Sequence, residues 1–309
     1  MGTPEFSVPA LRAVAEACDV VLVVTQPDRP SGRGRRLAES AVARLATELG
    51  VPVMKPEDMN TVEVRESLAA RGADVFAVVA FGAILSPRLL ALPRAGCLNL
   101  HGSILPDYRG ASPVQRALWD GRAETGVTTL FMDEGIDTGD IVAVRHEAIR
   151  DEDDAAALAA RLAAIGGPLL AESCVLAHEG RAPRVPQDRA AGSYAKKLKK
   201  SDGAVDWTLP ARTVWQHARA VTPWPGATTG VQGRRLLILE SRPVAAPMRA
   251  PGEVLGVNEQ GVTVACGDGA LCMTRVKPEG RAELAAAEWA RGARLAPGDR
   301  LSSGKEFVS

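Results

Sequence analysis

Short, nearly uninterrupted apolar runs separated by stretches of helical periodicity fill the first half of the chain, and this alternation constrains the fold more than any other feature. The runs cover residues 19–25, 73–81, 96–101, 127–132 and 140–145, and the helical patterns cover 9–17, 40–49, 61–71 and 113–120. Strands apolar on both faces need helices on both sides. The pattern therefore predicts an α/β, Rossmann-like, mostly parallel sheet. A long Ala- and Leu-rich helix is expected over 155–177. The four acidic residues just before it, Asp151 to Asp154, read as favourable charge at its N-terminus rather than as a metal site.

Beyond that helix the pattern changes. Residues 179–192 turn polar around Pro183 and Pro186, and the chain then offers one helix, 211–221, and short alternating runs with turn signals. Several short strands at that spacing predict a smaller C-terminal OB-like β-barrel. The expected organisation is a catalytic domain over 1–180, a linker over 181–203 and a barrel domain over 204–309. The zero net charge of the 309 residues conceals an asymmetry: residues 190–309 carry a net +6 and residues 1–189 a net −6. A basic last part can meet a polyanion.

Five cysteines are scattered without a C-x-x-C pair, as expected for buried thiols of a reducing compartment. No apolar run is read as reaching membrane-spanning length, and the expected location is cytoplasmic. With no heptad pattern, a monomer is expected. The four histidines show no ligand spacing, so no metal is expected.

The chemistry concentrates between Leu98 and Asp140. Asn99 and His101, two apart at the end of an expected strand, point to the same side, and strand ends of this kind are where α/β sheets bind ligands. Asp137, in the loop between two later strands, can fold back to reach the imidazole. An Asn, a His and an Asp without a placed Ser or Cys nucleophile suggest direct acyl transfer. Asn99 would donate to a developing oxyanion, His101 would take the proton an amine must lose, and Asp137 would orient the ring. The loop from Asp28 to Arg36 sets Arg29, Arg33, Arg35 and Arg36 among glycines, and can wrap a phosphate backbone. Its glycines do not form G-x-G-x-x-G, so a dinucleotide site is not supported. Lys196, Lys197, Lys199 and Lys200 form a second basic cluster.

The runs Asn99-Leu-His101-Gly-Ser103-Ile-Leu-Pro106-Asp-Tyr-Arg-Gly110-Ala-Ser-Pro113 and Asp133-Glu-Gly-Ile-Asp137-Thr-Gly-Asp140 resemble those of the methionyl-tRNA formyltransferases, within the formyltetrahydrofolate-dependent formyltransferase family. Gly2-Thr-Pro-Glu-Phe6, the 25–34 loop, Tyr194-Ala-Lys-Lys-Leu198, Gly203 to Trp207 and Arg219 to Gly226 extend the resemblance over nearly the whole chain. The resemblance implies formyl transfer from 10-formyltetrahydrofolate to the α-amine of initiator methionyl-tRNA, for translation initiation. It puts Asn99, His101 and Asp137 on the catalytic positions. It implies folate contacts at Ser103, Ile104, Leu105 and Pro106, and a pterin pocket at Phe81, Gly82, Ile84 and Leu85. It sends the arginine loop into the acceptor stem, with Arg33 at the critical position.

The family also begins with an apolar strand just ahead of the Gly2-Thr-Pro-Glu-Phe6 loop, which is absent from these residues. The resemblance therefore implies five or six apolar residues upstream of Met1. Two alternatives stay open: a related formyltransferase acting on an amino sugar or a purine precursor, and a tRNA-binding protein with an inactive, truncated catalytic domain.

Overall fold

The computed structural model describes residues 1–31 and 36–308, divided between two compact units. The first unit comprises Met1–Pro113, Glu124–Ala148 and Ala159–Ala195, and the second Val114–Ala123, Ile149–Leu158 and Lys196–Ser309. Residues 181–195, expected within a linker, thus belong to the first unit.

In the first unit Val23–Val24 pairs in parallel with Val53–Met54, and Phe76–Val78 pairs in parallel with Cys97–His101. The sheet then reverses: Glu124–Phe131 and Ile141–Ala148 add on antiparallel. The expectation of a mostly parallel sheet is corrected for these two strands. They are joined by a nine-residue loop, too short for the crossover that parallel pairing requires. A two-stranded hairpin, Arg29–Ser31 with Arg36–Ala38, was not foreseen.

Helices cover the sheet, and local chemistry sets their ends. Ser40 caps Ala41–Glu48 by accepting from Ala43 N at 3.1 Å, and Thr61 caps Val62–Ala69 through Val64 N at 3.3 Å. The 24-residue helix Ala155–His178 is long and apolar enough to cross a membrane by composition, which corrects the reading that no run reaches that length. Its Leu162, Leu169 and Leu170 are nonetheless core side chains. Gly166 lets this helix close on the sheet, since a Cβ there would meet Leu100 Cδ2 at 2.8 Å. Before it, Asp154 accepts from Ala157 N at 2.8 Å and Asp153 from Arg150 N at 2.7 Å.

The strand expected over 19–25 is confined to Val23–Val24, where it pairs with Val53–Met54. Gly2 N donates to Val24 O, Met1 N to Ala77 O and Val79 N to Met1 O, at 3.0, 2.6 and 2.9 Å. Gly2 bridges Val79 in the parallel sense. Alongside these residues lies a cavity of about 550 Å³, walled by Val20 to Val24 on one side and Val75 to Ala77 on the other, with Ala10, Val14, Leu170 and Cys174 from the covering helices. It has the walls of a strand position, flanked by two unpaired strand edges.

In the second unit an antiparallel sheet runs in the order Val254–Asn258, Gly261–Ala265, Ala270–Pro278, Arg234–Val244, Ala227–Val231, Leu301–Ser302. A bridge between Glu253 and Arg300 brings its two ends together as a half-barrel. Helix Ala211–Ala220 buries Val214, Trp215 and Ala218 against that sheet's core, including Leu236, Ile238 and Met273. A second helix, Ala286–Ala293, was not foreseen. His217 is buried too, 4.5 Å from the Trp119 ring, with Nε2 2.7 Å from Asp202 O. Burial pushes its imidazole below the ordinary range despite that carbonyl.

Two outcomes are expected. Fusing a five-residue apolar strand sequence directly ahead of Met1 should fill the slot. Each buried side chain contributes about 1.5–3 kcal/mol before ordering costs. The melting temperature should therefore rise by roughly 5–10 °C; an unchanged value in calorimetry would show that the slot is already closed in solution. For His217, the unfolded chain takes up a proton below about pH 6.5 while the folded chain resists. The stabilisation present above that pH should fade as pH falls through the lower folded value. Denaturant titrations of His217→Gln should show a flatter dependence between pH 7 and pH 5.

Candidate active site

Strand Cys97–His101 pairs on one side with Phe76–Val78 as far as Asn99 and on the other with Glu124–Phe131 as far as His101. Asn99 and His101 lie on one face of it, as period two requires. The antiparallel reversal sets Phe131 opposite Leu98, so the following loop leaves beside the start of this strand, away from His101. To serve the site that loop must fold back over the sheet, and it does. Asp137 adopts a φ of 55° at its turn, a conformation that Asp tolerates better than most residues.

The Asp137 carboxylate is where the groups meet. Its Oδ1 accepts from Asn99 Nδ2 at 3.1 Å, and its Oδ2 accepts from Gly110 N at 2.8 Å and faces His101 Nδ1 at 3.4 Å. His101 is 5% exposed and the Asp137 side chain 14%. On the far side of the ring, Nε2 lies 2.9 Å from Tyr108 O. A carbonyl oxygen can only accept, so this contact is made by an Nε2 hydrogen, and Nδ1 is the nitrogen that faces the carboxylate.

Several groups hold the loop in its folded-back course. Thr138 Oγ1 and Gly135 N both donate to Asp133 Oδ1, at 2.7 and 3.0 Å. Gly139 approaches Phe131 so closely that a Cβ would collide with its carbonyl oxygen. The guanidinium of Arg184 stacks 3.6 Å from the Phe131 ring centroid.

A cavity of about 180 Å³ opens beside Asp137, lined by residues 83–85, Leu130, Met132 and residues 133–139. Ile84 and Leu85, expected at a pterin pocket, are among its walls. Phe81 is buried in the apolar cluster beneath and Gly82 is exposed nearby in sequence; neither lines the cavity. Ser103, Ile104, Leu105 and Pro106 lie outside its lining as well. Thr128 pins that segment by donating to Ser103 O at 2.7 Å and accepting from Leu105 N at 3.1 Å. The walls of the cavity mix the apolar side chains of Ile84, Leu85, Leu130, Met132 and Ile136 with the polar ones of Asp133, Glu134, Asp137 and Thr138.

Of the expected polyanion contacts, Arg29, Lys196, Lys197, Lys199 and Lys200 are exposed. Arg36 closes the hairpin opposite Ser31, and Arg33 and Arg35 lie outside the described residues. Sequence reasoning missed Tyr108, Arg109 and Gly110 as site-builders although all three stood inside the quoted motif. It also missed Gln187, for which the polar stretch carries no signal.

The Formyl transferase family matches residues 6–173, and the Formyl transferase C-terminal domain matches residues 197–294. The methionyl-tRNA formyltransferase of Geobacter sulfurreducens is 43% identical over 302 residues, covering 97% of this chain and 95% of that protein. That of Anaeromyxobacter dehalogenans strain 2CP-1 is 46% identical over 299 residues, covering 95% and 96%. Among solved structures, the sugar 3N-formyltransferase WlaRD, in the presence of dTDP and 5-N-formyl-THF, matches with a TM-score of 0.64. At 16% identity over 91% of this chain and 97% of that one, it shows a shared fold. With both domains matched and identity above 40% from end to end, the chain belongs to the formyl transferase family, among the methionyl-tRNA formyltransferases.

Proposed function

We propose that this protein moves the formyl group of 10-formyltetrahydrofolate onto the α-amine of methionine carried by initiator tRNA. The observation that carries the reading is the meeting of Asn99, His101 Nδ1 and Gly110 N on one half-buried carboxylate at the rim of a cavity. The near-full-length identity to methionyl-tRNA formyltransferases supports the choice of substrate.

The formyl donor supplies an activated acyl carbon when bound, with its ring system against Ile84, Leu85 and Ile136. The Ser103–Pro106 segment, beyond the cavity lining, would meet the rest of that molecule. An α-amine ionises near 7.7–8.0, so a modest base suffices to generate the nucleophile. His101 takes the amine proton on Nδ1, because Tyr108 O already holds the other nitrogen's hydrogen. Asp137 then faces an imidazolium at short range and stabilises it. Asn99 has two amide hydrogens; one is on Asp137, and the second would serve the oxyanion that develops on the formyl oxygen. As that oxyanion collapses, the bond from the formyl carbon to the donor nitrogen would break, and the proton held by His101 would pass to that nitrogen, releasing tetrahydrofolate and the formylated amine.

The C-terminal half-barrel, read as OB-like, together with the arginine loop and the lysine cluster, would hold the tRNA backbone. Residues 181–203 would connect the two functions. Translation initiation makes a cytoplasmic location the natural one, with the protein acting as a monomer.

Formyl transfer from 10-formyltetrahydrofolate to charged initiator tRNA tests the reading, and exclusive transfer to a nucleotide-linked amino sugar would sink it. His101→Ala and Asp137→Ala should each lower kcat by about 10²–10⁴-fold, the usual worth of a positioned acid–base group. Because the two act as a unit, the double variant should be little worse than either single one, and additive losses would disprove their coupling. For the macromolecular substrate, raising salt from about 50 to 200 mM should cut kcat/KM for charged tRNA by about tenfold or more, through lost counterion release. Arg33→Ala should reproduce the loss at low salt, with folate affinity measured by fluorescence changing less than about twofold.

A further inference from the structure

Gln187 sits in the stretch 181–190, where nearly every neighbour is exposed, yet it is half-buried and its amide is used at both ends. Its Oε1 accepts from Arg109 Nε and Nη2 at 3.2 and 2.9 Å, and its Nε2 donates to Asp137 O and Gly139 O at 3.0 and 2.7 Å. The Arg109 side chain is itself among the largest fully buried ones, and its remaining donors reach Asp188 O at 3.0 Å and Ala191 O at 3.1 Å.

These bonds tie together the two segments on which the site depends. The stretch after Gln187 runs in register with the one after Arg109: Tyr194 and Ala195 pair in parallel with Arg109 and Gly110, and Arg109 N donates to Ser193 O at 2.8 Å. Tyr108 O and Gly110 N, the two backbone groups that hold His101 and Asp137, therefore lie on a strand fixed by residues 193–195. From that strand Arg109 passes through Gln187 to the two carbonyls bracketing Thr138. The backbone of Asp137, left-handed and folded back from the far end of its neighbouring strand, is held there by an amide from outside its own loop.

We propose that Gln187 is a positioning residue for the transfer reaction, setting the Asp137 carboxylate against His101 by bridging Arg109 to the Asp137 and Gly139 carbonyls. This rests on the function proposed above. A misplacement of about 1 Å in such an arrangement can cost about a hundredfold in rate. Glutamine suits the position because it presents an acceptor to the arginine and a donor to the loop. Glutamate would keep the partner of Arg109 and turn an acceptor towards two carbonyls, so it separates loop placement from support of the buried guanidinium.

The test is Gln187→Glu in the full chain, with Gln187→Met as a second variant of similar size should the first fail to fold. Q187E should lower kcat by about tenfold or more, leave KM for charged tRNA within about threefold, and keep the melting temperature within a few degrees. In the Asp137→Ala background the same change should cost nothing further. The ring ¹⁵N resonances of His101, which need no turnover, should move towards those of Asp137→Ala. A kcat equal to wild type, or an equal fold-loss in both backgrounds, would overturn the proposal. Unmoved His101 resonances would overturn it even if the wild-type protein formylated no tRNA, an outcome that by itself would sink only the substrate reading.

Discussion

A carboxylate withdrawn from water must be compensated by donors of fixed geometry, and the Asp137 carboxylate is the group around which the first unit is arranged. Its oxygens take hydrogen bonds from a strand side chain, Asn99, and from a backbone amide, Gly110, while facing the ring of His101. These partners come from separate pieces of backbone, so each piece has to be fixed relative to the others. The strand is fixed by pairing on both edges. The Gly110 segment is fixed by residues 193–195. The Asp137 loop is fixed by Asp133, the close approach of Gly139, and Gln187.

The change from parallel to antiparallel pairing gives this arrangement its shape. A parallel successor to Cys97–His101 would deliver its following loop at the same end as His101. The antiparallel strand Glu124–Phe131 instead follows a connection over 102–123 that contains helix Pro113–Trp119. Its own loop then starts at the wrong end and must fold back, which is why so many contacts are spent on residues 132–140. The same strand supports the opposite flank of the site through Thr128, which bridges Ser103 O and Leu105 N. Gly126 serves there too, since a Cβ would collide with the Arg145 carbonyl and meet Ile104 at 3.0 Å.

Much of this was legible in the sequence because period and spacing are local properties. Helices expected at 9–17, 40–49, 113–120 and 155–177 appear as Val8–Ala17, Ala41–Glu48, Pro113–Trp119 and Ala155–His178. The shared side of Asn99 and His101 follows from period two. Strand direction was not legible, since continuous apolar runs look alike in either sense. Helix Ala286–Ala293 was hidden in an Ala-rich stretch whose amphipathicity rests mainly on Trp289. Gln187 was invisible for a different reason: its importance comes from Arg109, 78 residues earlier, and from carbonyls that no side-chain pattern reveals.

The apolar slot beside Met1 and Gly2 shows how stability and site geometry are separated within one sheet. The slot is walled mainly by the amino-terminal halves of the flanking strands. At the carboxyl-terminal side the first residues of the chain close the gap. Gly2 N reaches Val24 O, Ser7 Oγ donates to Val79 O at 2.7 Å, and Thr3 Oγ1 donates to Phe81 O at 3.3 Å while accepting from Gln26 N at 3.4 Å. Gly2 is required for that closure, because a Cβ would meet Ser7 Cβ at 2.8 Å and Val79 O at 3.0 Å. The strand ends nearest the cavity at Ile84 and Leu85 are thus tied across, whereas the void lies at the opposite end. The strand that carries Asn99 and His101 sits one place further along: Phe76–Val78 separates it from the slot, and its other partner, Glu124–Phe131, does not border the slot at all, so the alignment of the reacting groups rests on pairings made away from the void.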